Sequence, residues 1–135
     1  MDSEICIIIE SVSDIITARE QGRTIGKELG FSFTDLTIIA TVISEVARNI
    51  LVFAKEGEII LGMTRQGGRH GIVIIARDRG PGIPDIPLAM QDGYSTRKGL
   101  GLGLPGVRRL MDEFEIISEV GKGTTVTMKK WVYQT

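Results

Sequence analysis

Glu45 and Asn49 stand four residues apart in the run SEVARN, one helical turn from each other. A carboxamide oxygen is a neutral, hard donor suited to Mg²⁺, and a carboxylate one turn away can accept a proton from a hydroxyl. A solvated polar patch would use the same two residues. In ARDRGPGIPD, Asp78 ends an apolar run and is followed by Gly80 and Gly82. A carboxylate at a strand end can accept a hydrogen bond from a ligand amine such as that of adenine, although Asp, Gly and Pro also make plain turns. In KGLGLGLPGVRRL, Gly99, Gly101, Gly103 and Gly106 lead into a helix. Such a chain can curl so that free amides and the positive end of the helix dipole meet on phosphates. Pro105 suits the first turn, where its missing donor is no loss. A bare hinge would not need Leu100, Leu102 and Leu104 between the glycines.

Gly101 to Gly106 is literally a G-x-G-x-x-G, with Glu119 downstream where a dinucleotide fold would place its ribose-binding acid. That fold requires a strand directly before the glycines. Asp92-Gly93-Tyr94-Ser95-Thr96-Arg97-Lys98 stands there instead, and little chain follows for the remaining strands. No H-R-D or D-F-G element of a eukaryote-type kinase occurs, and no G-x-x-x-x-G-K-[ST] phosphate loop.

The elements that must position these clusters follow from periodicity. Glu4 to Glu10 has strand length and β-branched character, and Ser11 to Asp14 offers N-cap residues for a helix closed by Gly30. A second helix starts at Ser32 or Thr34 and can run to about Ala54. Its stripe of Leu36, Ile39, Ala40, Ile43, Val46, Ala47, Ile50, Leu51 and Ala54 should face a sheet. Glu45 and Asn49 fall on the other side among Ile38, Val42 and Val52, a partly apolar face that suggests a pocket lining.

Glu58 to Thr64 and Gly71 to Arg77 read as a hairpin around Arg65-Gln66-Gly67-Gly68. An irregular stretch, 78–98, precedes a helix from Pro105 to about Glu113 and two strands, Glu115 to Val120 and Thr124 to Val132. This order predicts an α+β, two-layer sandwich with a mixed, mostly antiparallel sheet and helices on one face. A single domain over 1–135 is expected.

With 16 basic and 17 acidic residues well mixed and a net charge of -1, the chain offers no basic stripe for nucleic acid and no polybasic face for a membrane. Cys6, within ICIII, reads as a buried, reduced, structural thiol. His70 reads as an exposed turn residue beside Gly67-Gly68. Ile5 to Ile9 is too short for a signal core or a membrane span, and no other segment is expected to reach that length. A cytoplasmic location is the expectation.

In order, SEVARN, DRGPGIPD, KGLGLGLPG and GKGTT resemble the four nucleotide-binding boxes of the GHKL superfamily, the Bergerat fold shared by Hsp90, gyrase B, MutL and histidine kinases. The resemblance covers nearly the whole chain. It is nearest to the small bacterial serine/threonine kinases of the anti-sigma-factor class, and among those to the switch kinases of stressosomes. It implies ATP and Mg²⁺ as cofactors. Glu45 would be the catalytic base, Asn49 the Mg²⁺ ligand and Asp78 the holder of the adenine amine, with Gly80 and Gly82 shaping the loop and Thr124 supporting the same end. Gly99, Gly101 and Gly103, with Leu100 and Leu102 between them, would wrap the phosphates in an ATP lid from about Asp85 to Leu104. Arg97 would reach the γ-phosphate, and Arg97 and Lys98 could exchange roles. Anti-sigma relatives usually carry His where Phe53 stands, which favours the switch-kinase branch.

The resemblance also implies partners. Without a dimerising His-bearing hairpin or a following transducer domain, the chain is expected to phosphorylate a separate STAS-domain protein. Once released, it would activate a phosphatase regulator, as a monomer or weak homodimer. The alternative is a nucleotide-gated anti-sigma or other partner-binding protein with little kinase activity.

Overall fold

The computed structural model describes residues 2–91 and 103–133. The order of elements is β1 (Asp2–Ile9), α1 (Val12–Leu29), α2 (Phe33–Asn49), β2 (Gly57–Gln66), β3 (Arg69–Asp78), α3 (Ile86–Ala89), α4 (Gly103–Leu110), β4 (Glu113–Glu119) and β5 (Gly123–Trp131). The strands lie in the order β1-β2-β3-β5-β4. Each pairing is antiparallel, so the expected two-layer sandwich forms without a parallel pair among the described strands.

Alternation along the strands decides which residues meet the helices. Ile7 and Ile9, Ile59 and Leu61, Ile72, Ile74 and Ala76, and Val126 and Met128 are buried in one cluster with Ala18 and Ile25 of α1 and Ile39, Ile43 and Val46 of α2. Each fully buried aliphatic side chain contributes about 1.5–3 kcal/mol relative to leaving it in water. The α2 stripe anticipated from helical spacing therefore supplies much of what holds the site in place.

The ends of the helices have local causes. The Asp14 carboxylate accepts the backbone N–H of Glu10 at 2.9 Å and that of Ser11 at 3.0 Å, satisfying donors where α1 begins. The Glu10 amide, above all, holds the Asp14 carboxyl below the usual carboxylate range. Gly30 closes α1 at φ +90. Ser32 caps α2, its hydroxyl accepting the Asp35 N–H at 3.1 Å. The β2–β3 hairpin turns on Gly67 and Gly68 alone, at φ +58 and +82, so both strands run closer to the tip than the four-residue turn expected.

Three expectations need correction. Cys6 is exposed, because Ile7 and Ile9 take the inward positions of β1 and leave Cys6 and Ile8 on the other face. Its Sγ donates to Glu58 Oε2 at 3.0 Å, a bond that raises the thiol pKa. The same bond, together with Arg77, lowers the pKa of Glu58. His70 lies within β3 and is half-buried, its carbonyl accepting the Val132 N–H at 2.8 Å. Finally, the helical stretch Phe33–Ala54 is long and apolar enough to cross a bilayer, with a mean hydropathy of 1.7. Half of that window is buried inside the protein, the pattern of a core helix laid on a sheet.

Candidate active site

The chain leaves α2 at Asn49 and continues to Ala54 through a wider, π-type turn rather than the straight helix expected, ending at Lys55 with φ +71. Beside this turn, a cavity of about 230 Å³ opens between the end of α2, the end of β3 and the loop 81–84. Val46, Ile50, Ala76 and Val126 give it apolar walls, and Phe53, half exposed, stands at its edge. Asn49, Asp78 and Thr124 are its polar groups. An apolar cleft with a few convergent polar groups is the usual form of a small-molecule site.

Asp78 is fixed by the strand end. Its Oδ1 accepts the Gly80 N–H at 2.8 Å and the Thr124 N–H at 3.3 Å, while its Oδ2 takes no hydrogen bond among the described residues. The neighbouring backbone leaves little room. Gly123 sits at φ +113, and a Cβ there would overlap the Asp78 carbonyl oxygen. Gly82 sits at φ +78, and a Cβ there would overlap the backbone of Glu119. These are positions that an L side chain could not take without strain.

Ser118 ties this corner together. Its hydroxyl accepts the Ile83 N–H at 2.7 Å and lies 2.8 Å from the Thr124 hydroxyl and 3.2 Å from the Gly123 carbonyl. Its role is not evident from the sequence motifs. The signal available was a polar residue on the inward face of β4, in step with Phe114 and Ile116. Phe53, a departure from the anti-sigma pattern in the sequence, forms part of the cavity edge in the structure.

Glu45 is buried, with 4% of its surface exposed, and it is not in the cavity wall as the helical-wheel reading suggested. The first residue of α4 hydrogen-bonds to it. Glu45 Oε1 accepts the Gly103 N–H at 2.9 Å, and Oε2 lies 3.4 Å from the Arg48 guanidinium. One turn along α2, Asn49 Oδ1 is buried with no hydrogen-bond partner among the described residues. An orphaned buried oxygen is costly, and a hard cation would satisfy it. Among the described residues no cluster of three or more His, Cys, Asp or Glu could hold a metal alone. Asn49 therefore suits Mg²⁺ carried on phosphates, an ion that keeps few protein ligands.

Of the other expected site residues, Gly80 and Gly82 flank Asp78, and Gly103 is joined to Glu45. Arg97, Lys98, Gly99, Leu100, Gly101 and Leu102 lie outside the described residues. The helix expected from Pro105 to Glu113 spans Gly103–Leu110 instead. Asp112 turns its carboxylate to the Trp131 N–H at 2.7 Å, and Glu113 already pairs with Lys129 as a strand.

The family comparison agrees with this geometry. The model of the histidine kinase-, DNA gyrase B-, and HSP90-like ATPases matches residues 34–134. The chain belongs to that family. A member of it uses ATP, and the cavity beside Asp78 is where the fold offers room for a ligand.

Relatives sharpen the placement. The chain is 49% identical over 132 residues to the serine/threonine-protein kinase RsbT of Bacillus subtilis, covering 98% of this chain and 99% of that one. It is 36% identical over 103 residues to the anti-sigma F factor of Geobacillus stearothermophilus, covering 71% and 69%. The fold also resembles solved structures. The RsbU and RsbW domains of Rv1364c from Mycobacterium tuberculosis give a TM-score of 0.59 at 22% identity, covering 94% of this chain and 31% of that chain. The SiaB–SiaC complex from Pseudomonas aeruginosa gives 0.57 at 13%, covering 95% and 89%.

Proposed function

We propose that this chain, acting as a single kinase domain, transfers the γ-phosphoryl group of Mg·ATP to a serine or threonine of a STAS-domain protein in a bacterial stress-signalling complex. The observation that carries this reading is the convergence of Asn49, Asp78 and Thr124 on one cavity, with a buried carboxylate one helical turn from Asn49. The 49% identity to a named serine/threonine-protein kinase supports it.

In this reading, Asp78 Oδ2 accepts the adenine amine, and Oδ1 stays engaged with the Gly80 and Thr124 amides. Val46, Ile50, Ala76 and Val126 would give the base apolar contacts, with Phe53 at the edge of the same cavity. Asn49 Oδ1 would hold the magnesium, whose charge would offset that of the phosphates. Glu45 would accept the hydroxyl proton as the acceptor oxygen attacks the γ-phosphorus and the bond to the β–γ bridging oxygen breaks to release ADP, with Arg97 or Lys98 stabilising charge on the transferred group. Gly99, Gly101 and Gly103 shape the phosphate-binding backbone, with Leu100 and Leu102 between them. Most of the rate enhancement comes from positioning and charge, as is general for phosphoryl transfer.

A phosphorylated acceptor gains about two negative charges, enough to expel the kinase from its complex. Freed, the chain binds and activates a phosphatase regulator in the cytoplasm, as a monomer or weak homodimer. A second reading, a nucleotide-gated anti-sigma or partner-binding protein, is favoured by the 36% identity to an anti-sigma F factor. Glu45→Ala separates the two. The kinase reading expects phosphoryl transfer to fall by about 10²–10⁴-fold with ATP binding kept. Unchanged signalling by that variant would favour the gated binder.

A further inference from the structure

The carboxylate proposed as the base is in no position to serve as one in the structure described. Glu45 is 4% exposed, and each of its oxygens faces a donor: Oε1 the Gly103 N–H at 2.9 Å, and Oε2 the Arg48 guanidinium at 3.4 Å. A general base must come within about 2.6–3.2 Å of the hydroxyl whose proton it takes. An acceptor hydroxyl from another protein cannot approach that closely while Glu45 stays buried with both oxygens engaged.

Gly103 sits at φ +68 and opens α4, so its N–H is one of the amides that a helix leaves without an internal partner. A side-chain anion 58 residues earlier in the chain satisfies it. The bond is charge-assisted and buried, both of which make it stronger than an ordinary hydrogen bond. Carboxylate and phosphate are alike in what they ask of such an amide.

We infer that Glu45 is the resident anion of the Gly103 amide and that the triphosphate displaces it, so that binding of ATP and release of the base are one event. This inference rests on the ATP reading of the cavity. Nucleotide takes over the Gly103 N–H, and Glu45, left with the weaker and more exposed Arg48 contact, becomes free to face the acceptor hydroxyl. ATP loading thereby gates the base, which stays sequestered in the empty protein.

A consequence runs against the usual effect of removing a site residue: taking the charge off Glu45 should strengthen triphosphate binding. Glu45→Gln keeps the shape of the side chain but forms a weaker bond to Gly103. With Mg²⁺ and a non-hydrolysable ATP analogue, its affinity should be about three- to tenfold tighter than wild type, with adenosine unchanged. Removing a negative charge could raise affinity through space without any exchange of partners, so the amide itself must be observed.

The deciding experiment follows the Gly103 backbone N–H resonance by NMR in both proteins during that titration. Its position should differ between wild type and Glu45→Gln when empty and converge when both are saturated, because Glu45 has then left it. A wild-type resonance that stays at its nucleotide-free position at saturation overturns the inference, as does an affinity of Glu45→Gln equal to or weaker than wild type. Either result leaves the kinase reading intact if the analogue still binds. Failure of the wild type to bind the analogue at all overturns both. Should the variant not fold, the wild-type titration alone gives the same decision.

Discussion

Asp78 Oδ1 accepts the backbone N–H of Thr124 at 3.3 Å, joining the end of β3 to the start of β5 while Oδ2 takes no bond among the described residues. One oxygen serves the fold, and in the proposed reading the other meets the adenine amine. Asp78→Asn keeps an acceptor for the two amides but cannot keep both oxygens. ATP affinity should fall about 10–100-fold, with the melting temperature within a few degrees of wild type, as checked by calorimetric titration and thermal melts. Equal affinity would remove Asp78 from the adenine site.

Gly123 makes that geometry possible. At φ +113, where a Cβ would overlap the Asp78–Arg79 backbone, any side chain adds both strain and overlap. Gly123→Ala should destabilise the protein by about 2 kcal/mol or more, measured by denaturant unfolding, and weaken nucleotide binding by shifting Asp78.

Asn49 Oδ1 is buried without a partner among the described residues, a cost that a bound cation would relieve. Asn49→Leu should therefore stabilise the empty protein by about 1 kcal/mol, seen as a raised melting temperature, while abolishing the effect of Mg²⁺ on ATP binding. A destabilised variant that still responds to Mg²⁺ would show that Asn49 has a purely structural role.

The start of α1 gives a pH test. The Asp14 carboxyl is held below its usual range, first by the Glu10 amide, so its folded pKa lies below its unfolded one. The stability it confers is full above the unfolded value and is lost as pH falls through the folded value. Wild type should melt higher than Asp14→Asn at neutral pH, and the difference should shrink below about pH 4.

These tests also mark what was legible in the sequence. The α2 stripe could be read because a long helix repeats its period many times, so Ile39, Ile43 and Val46 declared the buried face. Asp78 and Asn49 could be placed because a strand end and a helical turn fix them locally. The exposure of Cys6 could not, since in ICIII both faces of the strand are apolar and period-two alternation carries no sign. Nor could the α3 turn at Ile86–Ala89, which depends on the Asp85 carboxylate accepting the Leu88 N–H at 3.0 Å in a stretch full of turn formers. The Glu45–Gly103 bond spans 58 residues and exists only once the fold has formed.

The most direct test of the central claim is the intact mass of a STAS-domain protein from the same genome, after incubation with this protein and Mg·ATP. The account predicts a single phosphoryl adduct on a serine or threonine, absent when Glu45→Ala replaces the wild type. No adduct on any STAS-domain candidate, with ATP binding confirmed, would contradict it.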